Sequence, residues 1–171
     1  MERCVIVGGA DIENYERIAG NLKKDDFMIY CDSGLRHMEG LGRYPDLIIG
    51  DFDSHENPML ETETIVLPTV KDDTDTVYAA KEALKRGFED FLLTGVIGQR
   101  FDHSIGNIGI LIMLTNHNKK ALILDDWSMM EIVRDTPVFI DDSYSFFSFC
   151  HDYNSWRNNL SRMKFSWGRG S

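Results

Sequence analysis

Four polar clusters in this chain combine residue types and spacings suited to phosphate chemistry. Asp51-Phe52-Asp53 sets two carboxylates two residues apart. In an extended segment, residues i and i+2 project to the same side, so both carboxylates could reach one divalent ion while Phe52 packs behind. Lys71-Asp72-Asp73-Thr74-Asp75-Thr76 is a run of acids beside a lysine. Helix capping accounts for one or two of these residues, because Asp or Thr at a helix start satisfies free N–H groups and suits the helix dipole. It does not account for the whole run, so Asp75 is assigned to a metal and Thr74 to phosphate at the helix N-terminus. Gly95-Val96-Ile97-Gly98-Gln99-Arg100-Phe101-Asp102-His103 is a glycine-containing loop before a helix. The glycines of the loop let backbone approach phosphate closely, and Arg100 offers a planar fork of donors. Asp32-Ser33-Gly34 is the fourth cluster. No Walker A sequence and no GxGxxG is present. Taken singly, DxD is more often a solvated turn, and a lone His such as His103 is more often structural than catalytic.

What raises the clusters above that reading is where they fall. Short apolar runs alternate with segments of helical spacing, which predicts an α/β fold: a mostly parallel sheet flanked by helices. Strands are expected at Cys4–Val7, Phe27–Cys31, Leu47–Ile49, Ile65–Leu67 and Phe91–Leu93, with a strand pair at Ala121–Leu124 and Met129–Val133. Helices are expected on Ile12, Tyr15, Ala19 and Leu22, on Leu35, Met38 and Leu41, and on Val77, Ala80 and Leu84. A further helix shows Ile105, Ile108 and Ile112 as its apolar face. Asp32 then follows the second strand, Asp51 and Asp53 the third, and Arg100 and Asp102 the fifth. In an open parallel sheet those ends line one crevice where ligands bind. Acids gathered there repel one another unless a cation intervenes, and Mg²⁺ takes hard oxygen ligands from one or two carboxylates plus substrate phosphates.

Composition narrows the partners. The 171 residues carry 28 Asp+Glu against 18 Lys+Arg, a formal net charge of −10. Duplex nucleic-acid binders need the opposite sign, so nucleic acid is not an expected partner. The three cysteines form no CxxC or Cys/His cluster, and Cys4 and Cys31 read as small core hydrophobes. No signal peptide or membrane span is apparent, and the expectation is a soluble cytoplasmic protein.

Taken together, Asp32-Ser33-Gly34, Pro45 to Ser54, Lys71 to Asp75, and Gly98 to His103 followed by Asn107 resemble the thiamine pyrophosphokinase family in order and spacing, over roughly Val5 to Ser148. The resemblance implies an N-terminal α/β nucleotide- and Mg²⁺-binding catalytic domain (1–120) and a C-terminal β-sandwich. It implies a homodimer holding thiamine across its interface, and transfer of a pyrophosphoryl group from ATP to the thiamine hydroxyl, giving thiamine diphosphate and AMP. By this carry-over Asp51, Asp53 and Asp75 hold Mg²⁺ and the polyphosphate, Arg100 stabilises phosphate charge, and Asp102 lies beside the reacting hydroxyl. Asp32, Ser33, Thr74 and Asn107 are further motif positions on the ligand side. The alternatives are a metal-dependent phosphohydrolase, or a nucleotide-binding module inactive through loss of its C-terminal domain.

The C-terminus departs from the family pattern. Between Cys150 and Ser171 one acid, Asp152, stands against Arg157, Arg162, Lys164 and Arg169, without strand or helix periodicity. Residues 121–171 are therefore expected to form a partial β-rich thiamine-binding domain with an irregular tail, as a truncated or frameshifted chain would. The segment after Phe149 is expected to be disordered or ordered only against a neighbouring chain. Such a chain should bind nucleotide but transfer pyrophosphate poorly.

Overall fold

Runs of four or five apolar residues are stable as strands only where both sheet faces are covered, and this sequence supplies helices for both. The computed structural model describes residues 3–52, 61–68, 73–98 and 100–134, and the backbone of two strands at 144–151 and 161–168. Strands β1 (Cys4–Val7), β2 (Phe27–Cys31), β3 (Leu47–Gly50), β4 (Glu63–Val66), β5 (Asp90–Thr94) and β6 (Lys120–Leu124) pair in parallel in the order β4-β3-β2-β1-β5-β6. The chain steps outward from β1 to β4 on one side, then returns to place β5 on the other. The switch in direction therefore lies at β1.

Period-two alternation divides the core. Cys4 and Ile6 join Ile29, Leu47, Phe91 and Leu93 on one face, while Val5 and Val7 join Met28, Tyr30 and Leu92 on the other. The second face is covered by α1 (Tyr15–Gly20), a 3₁₀ helix (Asp32–His37) and α2 (Met38–Leu41) through Ile18, Leu35 and Leu41. The first face is covered by α3 (Asp75–Lys85) and α4 (Phe101–Asn116). Ala79, Ala80 and Ala83 let α3 approach closely. Gly42, with φ of +62°, ends α2 as a left-handed cap.

Two sequence expectations are corrected. Ile105 and Ile112 do not face the core: they are 54% and 44% exposed, and α4 instead buries Ser104, Asn107, Ile110, Leu111 and Leu114. The helix is apolar nearly all round, so periodicity could not orient it, and polar contacts from Ser104 and Asn107 turn their side inward. The C-terminal segment also rejoins the fold. Strand β7 (Ser128–Arg134) pairs antiparallel with β6, and β9 (Ser161–Gly168) pairs antiparallel along all of β7, with β8 (Tyr144–His151) beyond it. Main-chain N–H and C=O groups make such a ladder, so the lack of hydropathic alternation in the tail does not prevent it.

Candidate active site

Three neighbouring strands, β2, β1 and β5, deliver their carboxyl ends to one crevice. The loop after β1 is tied to the loop after β5 by Gly8 N–H to the Thr94 carbonyl (2.9 Å) and Ala10 N–H to the Gly95 carbonyl (2.7 Å). Gly95 has φ of +61°, and a Cβ there would lie 2.6 Å from the Gly8 carbonyl oxygen. Only glycine satisfies both constraints, and it lets the two loops close up. Further along, Asn107 Nδ2 donates to the Val96 carbonyl (2.7 Å), while the Ser104 hydroxyl accepts from Gly98 N–H (3.1 Å). The glycine loop is thus held from beneath by the first two turns of α4.

On the other side, Asp32 opens the 3₁₀ helix directly after β2 and is buried, with Gly50 packed against its Cβ. Thr74 caps α3, its hydroxyl accepting from Val77 N–H at 3.4 Å, and Asp75 is the first helical residue. Lys81 holds the carboxylate of Asp73 at 2.5 Å. The acid run therefore does cap a helix, and it also presents residues to the crevice.

These loops enclose a cavity of about 420 Å³ whose wall includes Ser33, Thr74, Asp75, Arg100 and Asn107, all singled out from the sequence, together with His103. Arg100 grips Asp102 in a two-pronged contact, Nη2 to Oδ2 at 2.6 Å and Nε to Oδ1 at 3.3 Å. That hydrogen bonding pulls the Asp102 carboxyl below its ordinary range and raises the guanidinium further. Both side chains are about two-thirds exposed, so the pair is available for exchange with another anion.

Other expected site residues fall elsewhere. Asp51 is half-buried directly after β3, and neither it nor the buried Asp32 belongs to the cavity wall. Asp53 lies outside the described residues, as do Lys71, Asp72 and Gln99. The extended-segment argument for Asp51 and Asp53 is corrected, because Phe52 takes the left-handed region at φ 57°. A turn of that kind breaks the i, i+2 alternation, and for a bulky residue it is a strained conformation. Among the described residues no group of three or more His, Cys, Asp or Glu is gathered to hold a metal by itself.

The sequence reading missed Arg36, Gly9 and Asp11, which also line the cavity. Arg36 Nη2 donates to the Gly9 carbonyl (2.5 Å) and to Asp11 Oδ1 (2.7 Å). The next residue, His37, is buried, with Nε2 2.8 Å from the Ala10 carbonyl and Nδ1 2.8 Å from the Tyr15 hydroxyl. A carbonyl can only accept, so Nε2 carries the proton and Nδ1 accepts from Tyr15. That tautomer leaves Arg36 Nε, 3.3 Å from Nε2, as a proximity rather than a hydrogen bond. Burial lowers the His37 pKa and keeps the ring neutral. A short Arg-His pair after Asp-Ser-Gly carries no motif of its own, which is why it went unnoticed.

A family model described as the catalytic domain of thiamin pyrophosphokinase matches residues 19–123. Among solved structures, thiamine pyrophosphokinase from Bacillus subtilis is similar at a TM-score of 0.76 and 22% identity, over 99% of this chain and 95% of that one. The enzyme from Geobacillus thermodenitrificans gives 0.72 and 20%, over 98% and 94%. That from Candida albicans gives 0.59 and 16%, over 78% and 61%. At these identities the structural likenesses speak for the fold. A search of curated proteins finds no match, and no helix among the described residues is long and apolar enough to cross a membrane.

Proposed function

This chain belongs to the thiamin pyrophosphokinase family, and from that premise we propose that it uses the cavity at the carboxyl edge of β1, β2 and β5 to transfer a pyrophosphoryl group from ATP to the hydroxyl of thiamine. The observation that carries the assignment of the site is convergence. Thr74, Asp75, Arg100 and Asn107, separated by up to 33 positions, line one cavity.

The thiamine oxygen attacks the β-phosphorus of ATP, the bond from that phosphorus to the α–β bridging oxygen breaks, and AMP departs as the hydroxyl proton passes to solvent. Such transfers demand little covalent chemistry from protein; positioning and charge neutralisation supply the rate. Arg100 would exchange Asp102 for phosphate oxygens, a swap of one anion for another that needs little rearrangement of an exposed pair. Asp102, an exposed carboxylate that stays ionised at neutral pH without Arg100, would then be free to accept a hydrogen bond from the thiamine hydroxyl. Asn107 and Ser104 keep the glycine loop at a fixed distance from the phosphates.

Magnesium fits the donor set. Asp75 on the cavity wall and Asp51 directly after β3 are hard oxygen ligands of the kind Mg²⁺ takes together with water and substrate phosphates. We assign Asp75, Asp51 and Asp53 to it. Bound there, Mg²⁺ would neutralise polyphosphate charge. Asp32 and Ser33 support the nucleotide side. The division into a catalytic part (1–120) and a thiamine-binding β part (121–171), the homodimer with thiamine across its interface and a cytoplasmic location are proposed on the family resemblance. The direct test is AMP release from ATP and Mg²⁺ with and without thiamine. Release only when thiamine is present supports this reading, and release independent of thiamine sinks it in favour of a hydrolase.

A further inference from the structure

We propose that Arg36 is a second phosphate-binding residue of this cavity, gripping the nucleotide's anionic oxygens from the side opposite Arg100. The inference deepens the nucleotide reading above and rests on it. In the sheet, β1 lies between β2 and β5. Arg36 follows β2 and Arg100 follows β5, so the two arginines come from strands on opposite flanks of β1, strands roughly 10 Å apart by two spacings. Among the described residues they are the two arginines of the cavity wall, which also carries Asp11 and Asp75. A polyphosphate entering a wall with those acids, on a chain of net charge −10, needs fixed cations at both flanks.

Arg36 is prepared for that role. Its Nη2 is fixed by the Gly9 carbonyl and Asp11, and a planar guanidinium held at one nitrogen has the direction of the other fixed too. The backbone beneath it is pinned by His37, which bonds the adjacent Ala10 carbonyl from a buried position. A plain surface ion pair would explain neither feature. The Arg36 and Asp11 side chains are 47% and 63% exposed, and pairs so placed contribute little to stability.

Calorimetric titration of MgATP, inorganic pyrophosphate and adenosine into wild type, Arg36→Met, Arg36→Lys and Asp11→Asn tests this. Arg36→Met is expected to weaken MgATP and pyrophosphate by about tenfold or more, the scale of one charge-assisted hydrogen bond, and to leave adenosine within about twofold. Arg36→Lys should recover part of the loss, since it restores the charge without the fork. Asp11→Asn keeps an amide oxygen to hold Nη2 but removes a carboxylate that repels phosphate, so MgATP affinity should be equal or higher. Equal affinity in Arg36→Met, a parallel loss for adenosine, or the same loss in Asp11→Asn would each overturn the proposal and reduce Arg36 to a loop brace. Failure of the wild type to bind MgATP at all would instead remove the nucleotide reading on which it stands. Arg36→Gln, read alongside a melting curve, covers the case in which the Met variant misfolds.

Discussion

Asn107, on the second turn of α4, donates its amide hydrogen to the carbonyl of Val96 at 2.7 Å in a buried setting, joining a helix to the loop eleven residues before it. Replacing it by Leu strands the Val96 carbonyl, a cost of about 1–3 kcal/mol for a buried unpaired group. Asn107→Leu should therefore lower stability by that amount in chemical denaturation and raise the KM for ATP as the glycine loop loosens. Unchanged values of both would mean that the loop needs no anchor.

Arg100→Lys keeps the charge and loses the fork. Because the Arg100–Asp102 pair is exposed, melting temperature should barely move, while kcat falls about tenfold or more with the loss of bidentate phosphate contact. Full activity with Lys would show that a point charge is enough.

Asp75→Asn retains a residue suited to a helix start but removes a hard anionic ligand. The Mg²⁺ concentration needed for half-maximal turnover should rise by about tenfold or more, with folding intact. Asp53→Asn should weaken MgATP binding in the same way, and chelation of divalent ions should abolish turnover of the wild type. Identical Mg²⁺ titrations for Asp75→Asn and wild type would take Asp75 out of the metal site.

His37 makes stability depend on pH. Its pKa in the folded state lies below the ordinary 6.5, chiefly through burial and against the opposing pull of the Ala10 carbonyl, with Arg36 lowering it and Asp11 and Asp126 raising it. As pH falls past 6.5 the unfolded chain takes up this proton first, so the contribution is complete above that value. It declines on acidification until the folded ring protonates too. Differential melting of wild type and His37→Gln between about pH 8 and pH 5 should show the wild type losing relative stability on the acid side. A constant difference would mean that the ring does not titrate in this window.

Truncation before Ser161 should be damaging. It removes β9, which pairs with both β7 and β8, and so opens an edge along β7 and leaves β8 without its partner. Edges of this kind recruit other chains. We expect a lower melting temperature and higher-order association in size-exclusion chromatography. A monodisperse truncated chain of unchanged stability would show that β9 contributes nothing to the sheet.

The sequence by itself determined the parallel sheet, because uninterrupted runs such as Cys4–Val7 and Phe27–Cys31 can be buried only between two helical layers, and it located the polar clusters at strand ends. Local chemistry was enough for Thr74, whose capping role needs only its neighbours. Tertiary structure decided the rest, wherever the deciding contact comes from a distant part of the chain. α4 is apolar on most sides, so its inward face was chosen by Asn107 and Ser104 bonding a loop rather than by period. The left-handed turn at Phe52 cancels an alternation that the letters Asp-Phe-Asp suggest. The tail, irregular as a string, becomes a strand because β7 offers it unpaired main-chain groups. Arg36 meets the cavity only because β1 lies between β2 and β5, an ordering fixed by how the chain crosses over and invisible in any local window.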